Sequence, residues 1–467
     1  MNARRPCLLL VGLLLAAPSL AAEPPPAPQL TAAERAEVDQ IVQKALRDTH
    51  VASASIAIVK DDQLVYAKAY GQAQLKPALK ATPAMRYAIG SISKQFTATA
   101  LLLLAQDGKL SLDDHVSRFL PDVPHGAEVT LRQLLSHTSG YRDFWPQDYV
   151  MKPMQQAVDP KALVQEWAGK PLDFAPGTRW EYSNTNYVIA GLVAEKVSGV
   201  PLFQFLSQRV FAPLGIKTAF DVDQHPLPPG NPKGYMHHAL GPERLAPPEG
   251  KGWMAGAGEL AMTAEDLARW DRSLIEGSVL KPASYQALET EVLLANGRGT
   301  NYGLGVDVGA FDNHREISHT GEVAGFTALN AVFPDDRAAV VVLNNNDAAD
   351  STNQQIAKKL YRMVLEGSAP EVTAQAKKIF LGLQRGKIDR SLFTENANGY
   401  FDAQALQDFR QSLSPLGAPK TFTQERKGDR GGMVYRKYKV TLAKKTLAVT
   451  TYALPDGKLE QYLVLPE

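Results

Sequence analysis

Between Ile92 and Gln106 apolar side chains occupy nearly every face of a helical wheel, with Leu101 to Leu104 in one block. A helix with no polar side left for water is expected to lie buried at the centre of a domain. It is too short to cross a bilayer, which takes about 20 apolar residues. Ahead of it, Thr31 and Glu34 form a capping box that opens an amphipathic helix running to about Asp48. Ser53 to Val59 and Leu64 to Tyr70 are strand-like and flank Lys60-Asp61-Asp62-Gln63, which predicts a hairpin. Phe326 to Phe333 and Ala338 to Leu343 repeat that arrangement around Pro334-Asp335-Asp336-Arg337. Further helices are predicted over Thr185 to Val197, Pro201 to Phe211 and Thr263 to Ile275, the last opened by a capping box, Thr263-x-x-Asp266. Strands and helices cluster by type instead of alternating, which predicts an α+β fold.

The two ends carry different patterns. Arg4 and Arg5, the apolar run Leu8 to Ala17 and the small residues Ser19-Leu20-Ala21-Ala22 read as an export signal over residues 1–22. A periplasmic or secreted mature chain is therefore expected. After a Pro-rich lead from Glu23 to Pro28, a main domain is expected over residues 30–366. Gly367-Ser368-Ala369-Pro370 then punctuates the chain. Helix-like stretches and three or four strand-like runs follow, and they predict a small α+β domain over residues 371–467.

Composition adds exclusions. The 50 Lys and Arg against 49 Asp and Glu leave no basic field for a nucleic acid or an anionic membrane. No nucleic-acid partner and no stable membrane insertion are expected. The only cysteine, Cys7, falls inside the export signal, so thiol chemistry and cysteine metal sites are not expected. His237-His238 lacks ligand spacing, because neighbours on a strand point apart. With no Walker loop, dinucleotide fingerprint or His-Glu-x-x-His, no cofactor and no metal are expected.

Ser91-Ile92-Ser93-Lys94 sets a serine and a lysine one helical turn apart, so the Lys94 amine can reach the Ser91 oxygen. The tetrapeptide alone is weak, since Ser278-Val279-Leu280-Lys281 matches it too, and a helix cap is its plain reading. Context separates the two: Ser91 follows a strand-like run and a glycine and opens the buried helix, whose positive end favours an oxyanion. Tyr182-Ser183-Asn184, after Phe174-Ala175-Pro176-Gly177, pairs a phenol that can move a proton with an amide that can orient a lysine. In His319-Thr320-Gly321, the glycine is expected to let a substrate approach an edge strand closely.

The ordered set Ser91-x-x-Lys94, Tyr182-x-Asn184 and His319-Thr320-Gly321 resembles the serine β-lactamase and D,D-peptidase superfamily, in its class C-like branch. Leu134-Leu135-Ser136-His137-Thr138-Ser139-Gly140, Phe174-Ala175-Pro176-Gly177 and Ala257-Gly258-Glu259-Leu260 are also similar to that branch, and the likeness covers roughly residues 31 to 365. It implies an antiparallel sheet flanked by helices, with an all-helical lobe. It also implies acylation at Ser91, with Lys94 and Tyr182 sharing the general-base work and Asn184 holding the amine and the substrate amide. His319, Thr320 and Gly321 would orient the substrate, and the backbone N–H groups of Ser91 and Glu322 would bind the oxyanion. Small peptides containing D-amino acids, cell-wall fragments, esters, amides or a β-lactam are the implied substrates. A non-catalytic peptidoglycan- or peptide-binding protein and a true class C-like β-lactamase are the alternatives.

Four further expectations follow. Lys94 is expected to lower the Tyr182 pKa by favouring the phenolate, while desolvation lowers its own, so that the pair can pass a proton near neutral pH. His319 stands where β-lactamases usually carry lysine, so it is expected to be partly charged and to titrate near neutrality. Arg298, close in sequence, is the candidate for the missing cation. His137 is read as a packing and turn element.

Overall fold

The computed structural model describes residues 29–467 apart from 148, 240, 313, 367 and 368. The export signal over 1–22, Cys7 and the Gly367-Ser368 break therefore lie outside the described residues.

Both expected hairpins form, and they meet in one antiparallel sheet. Its strands are β1 (Ser53–Lys60), β2 (Gln63–Gln74), β3 (Leu79–Lys80), β4 (Asp307–Phe311), β5 (His314–Val323), β6 (Phe326–Phe333) and β7 (Ala338–Asn344). The order is β3-β2-β1-β7-β6-β5-β4. The β1–β2 turn holds Asp61 and Asp62 at φ 52° and 58°, and the β6–β7 turn holds Arg337 at φ 54°. These turns sit side by side, because β1 and β7 are neighbours. Asp62 N donates to Arg337 O at 3.1 Å, and the two side chains form an ion pair.

The central strands are buried along their length, apart from Lys60 at the end of β1, because both faces are covered. Ala54, Ile56 and Ile58 of β1 face one core with Ala338, Val340 and Val342 of β7. Ala57, Val59, Ala339, Val341 and Leu343 face the other. Helix α1 (Ala32–Thr49) and helix α5 (Asp350–Glu366) cover the first face, through Val38, Val42, Ile356 and Leu360. The capping box of Thr31 and Glu34 opens α1 as expected. Helices α2 (Ser93–Gln106), α3 (Asn184–Ser198) and α4 (Ala264–Glu276) belong to the second core, with the helical lobe around them.

Every residue of α2 from Ser93 to Leu104 is buried. Its polar members are matched inside: Gln95 bonds Asn330 and the Trp270 indole, and Thr97 Oγ1 donates to Gly256 O at 2.8 Å. Truncating one of these buried leucines to alanine would cost about 2–5 kcal/mol.

Two local expectations are corrected. The helix expected over Pro201 to Phe211 is three pieces, Leu202–Leu206, a wide π turn at Ser207–Phe211, and Ala212–Leu214. Pro213 has no N–H, and its ring would strike the carbonyl four residues back in a regular helix, so the turn widens ahead of it. At α4, Thr263 caps Asp266 N, but the capping box is half-made. The Asp266 carboxylate instead accepts from Lys217 N, Thr218 N and Thr218 Oγ1 at 2.6–2.9 Å.

Residues after the break form three helices, Ala369–Leu383, Glu395–Tyr400 and Ala403–Leu413. A four-stranded sheet of Thr421–Arg430, Met433–Thr441, Thr446–Ala453 and Leu459–Pro466 follows. They share their own core, with Phe380, Phe401, Tyr438 and Tyr462 inside.

Candidate active site

Ser91 lies in the 3-10 turn Gly90–Ile92 that runs directly into α2. Two neighbours hold this turn: Ile89 N donates to Leu260 O at 2.9 Å, and Leu260 N donates to Ser93 Oγ at 3.0 Å. On its other side comes β5, and the contact leaves no room for side chains. A Cβ on Gly90 (φ 51°) would lie 2.6 Å from Glu322 N, and one on Gly321 would lie 1.9 Å from Ile89 O and 3.1 Å from Ser91 N. The backbones of Ser91 and Glu322 are thereby brought together, as an oxyanion site requires. Gly321 is required by this approach of the protein's own backbone, a reason its sequence did not suggest. Beyond Ser318, the last residue of β5 paired with β4, the strand from His319 to Val323 is open on one side.

Lys94 is fully buried beneath Ser91. As an ammonium it donates to Ser91 Oγ at 2.9 Å, Asn184 Oδ1 at 2.8 Å and Ala257 O at 2.8 Å. Two of these partners can only accept. Once the amine sheds a proton, its two N–H groups stay with Asn184 and Ala257. Its lone pair then faces Ser91 Oγ, the one partner with a proton to give. Burial lowers the Lys94 pKa to about 7, against the opposing pull of Asp143 and Glu259.

Asn184 is held in this orientation by a residue that sequence reading missed. Asp143 accepts from Asn184 N at 2.9 Å and from Asn184 Nδ2 at 3.3 Å, which fixes the side-chain oxygen toward Lys94. No local signal marks Asp143, an acid in a loop far from Asn184 in sequence. Ala257 O was equally hidden, being a carbonyl whose use depends only on placement.

Tyr182 touches the Ser91 hydroxyl, and the Lys94 Nζ lies 5.0 Å from its ring centre. Burial raises its pKa far above the usual phenol value and outweighs the lowering by Ser91. The expected phenolate is thus corrected: Tyr182 keeps its proton. His137, fully buried, stacks on the Tyr182 ring at 4.2 Å and accepts from Ser183 N at 3.1 Å. Its turn role is real, and it also supports the tyrosine.

Ser91, Tyr182, Asn184, His319, Thr320 and Glu322 line one cavity of about 800 Å³. Four of the five tryptophans, Trp145, Trp167, Trp180 and Trp253, form its walls, which suits apolar or ring-bearing groups. Ser278 and Lys281, the other matching pair, are exposed between two helices.

His319 departs from expectation. Burial and then the charge of Lys94 push its pKa down to about 3, so it is neutral near pH 7. Its Nδ1 proton goes to Thr320 O, so Nε2 accepts from the Tyr302 hydroxyl at 2.9 Å. Arg298 is not among the cavity residues and supplies no cation there.

Residues 38–360 match the family described as Beta-lactamase. The chain belongs to the beta-lactamase family. A penicillin-binding protein of Bacillus subtilis is 26% identical over 386 residues, which cover 79% of this chain and 83% of that protein. A solved D-stereospecific amidohydrolase from Streptomyces is 28% identical with a TM-score of 0.62, over 72% of this chain and 99% of its own. The octameric penicillin-binding protein homologue from Pyrococcus abyssi, 23% identical, shares the fold over 92% of this chain and 100% of its own, with a TM-score of 0.62. The family is one of serine hydrolases, and this member carries the side-chain arrangement such an enzyme needs.

Proposed function

We propose that this member of the family hydrolyses small amides and esters, among them amides of D-amino acids and cell-wall fragments, through an acyl-enzyme on Ser91. One observation carries the reading: the buried Lys94 amine has Ser91 Oγ as its only partner able to give a proton. A binding protein has no use for such an amine.

In acylation Ser91 Oγ attacks the carbonyl carbon and its proton passes to Lys94. The developing oxyanion is bound by the N–H groups of Ser91 and Glu322. Tyr182, still protonated, gives its proton to the leaving nitrogen or oxygen, and Lys94 makes good the loss. Water then attacks the acyl carbon with the same groups in reversed roles, and Asn184 and the His319 to Gly321 edge hold the substrate in line. Export through the segment read over 1–22 would put this activity outside the cytoplasm.

The neutral His319 supports amides and esters over β-lactams and carboxylate-terminated D,D-peptides, because no charge at that position meets a substrate carboxylate. The likeness to a D-stereospecific amidohydrolase supports the same side. The test compares turnover of D- and L-amino-acid p-nitroanilides, a p-nitrophenyl ester and a chromogenic cephalosporin. Amide or ester turnover, with the cephalosporin leaving a long-lived adduct, is expected. Rapid cephalosporin hydrolysis without amide or ester turnover would reverse the assignment.

The pH dependence follows from Lys94. Below about pH 7 the amine is protonated and has no lone pair for Ser91, so kcat/KM is expected to rise with pH through one ionisation near 7. His319→Gln should keep that limb, because His319 is already neutral there. A profile from pH 5 to 9 on a neutral ester checks this, and loss of the limb in the variant would assign it to His319.

A further inference from the structure

Asp307 is a cavity carboxylate that the acylation chemistry does not use. Asp307 opens β4 and pairs with Ser318, the residue before His319, so it stands beside the third motif. It lines the same cavity as Ser91 and is open to solvent. Among the described residues, no side chain or backbone group forms an ion pair or hydrogen bond with its carboxylate. Its charge acts on Tyr182 and Tyr302. Tyr182 delivers the proton to the departing atom in the acylation reading, so a cavity carboxylate whose charge reaches Tyr182 is suited to act on the leaving group.

An exposed indole lines the same cavity, linked to Asp307 through the buried Tyr302. Tyr302 bridges to Asp307 through the backbone, and its ring lies 5.9 Å from that of Trp180, which is 38% exposed at the cavity wall. A carboxylate and an exposed indole in one cavity are a combination that recognises a cation. The opposite preference has little to work with. Arg142 is the one arginine or lysine lining the cavity among the described residues, and Asp173 takes its guanidinium at 2.6 Å. Partial desolvation by the surrounding cavity wall and then Glu316 raise the Asp307 pKa to about 6, which still leaves it mostly ionised at neutral pH.

We propose that Asp307 is a specificity-determining residue selecting substrates whose leaving group carries a positive charge, such as esters of amino alcohols and amides of diamines or basic amino acids. Leaving groups ending in a carboxylate are selected against. This inference rests on the acylation reading above.

The full chain is assayed with butyrylthiocholine, its neutral isostere the 3,3-dimethylbutyl thioester, and a carboxyethyl thioester, by thiol release. The cationic ester is expected to exceed the neutral one roughly tenfold in kcat/KM, mainly through KM, and the carboxylate to fall below both. High salt should shrink that ratio. Asp307→Asn should bring the cationic-to-neutral ratio close to one, Asp307→Glu should retain it, and Asp307→Lys should favour the carboxylate. Turnover of the neutral ester with a wild-type ratio at or below one, or a ratio kept in Asp307→Asn, overturns the assignment and leaves the acylation reading standing. No turnover of any ester, and no adduct on Ser91, removes both. If Asp307→Asn fails to fold, the wild-type ratio and its salt dependence decide.

Discussion

Ser91→Ala is expected to lower kcat/KM on esters and amides by at least about 10⁴-fold and to remove every covalent adduct. The effect is this large because the remaining groups have nothing to act on: Lys94 would hold a lone pair facing a methyl group, and Tyr182 would have no acylation step to assist. Stability should hardly change. Lys94 keeps Asn184 and Ala257 as partners, and Ser91 contributes no apolar packing that alanine lacks. Intact mass after incubation with a β-lactam, together with a thermal melt, separates chemistry from folding. A surviving adduct in the folded variant would place the nucleophile elsewhere.

Gly321→Ala is expected to lower kcat about 10²–10³-fold, the usual cost of losing one oxyanion donor. The added Cβ would lie 1.9 Å from Ile89 O, so β5 and the nucleophile turn must separate. That movement draws Glu322 N away from Ser91 N, the pair on which oxyanion binding depends. Overpacking of this kind costs about 1–3 kcal/mol, so the melting temperature should drop by several degrees without loss of the fold. Gly309→Ala is the control, since it sits in β4 with no atom within 4 Å of its new Cβ. Equal kcat in the two variants would remove the close backbone approach from the catalytic argument.

The sequence was informative wherever cause and effect lie within a few residues. Thr31 and Glu34 cap a helix because they are three apart, and Asp61-Asp62 turns a chain because those two residues adopt the required backbone. Ser91 and Lys94 meet because a helical turn joins them. The partition of β1 and β7 between two cores also follows from alternation, once both faces are known to be covered. The half-made capping box at Thr263 shows where such reasoning ends. Asp266 had the right spacing, yet the backbone of Lys217 and Thr218 reached its carboxylate first.

Ser91, Lys94, Tyr182 and Asn184, and the order in which they stand, were therefore legible in the sequence alone as candidates for this chemistry. Only the tertiary structure decided their protonation. Burial shifts a pKa through the loss of water on every side, and that water is displaced by segments hundreds of residues apart. It makes Lys94 able to act as a base near pH 7, keeps the proton on Tyr182 and leaves His319 without charge. The tertiary structure also decided the purpose of Gly321 and brought in Asp143 and the carbonyl of Ala257. Contacts of that kind depend on which backbones meet in space, a property that no local spacing encodes.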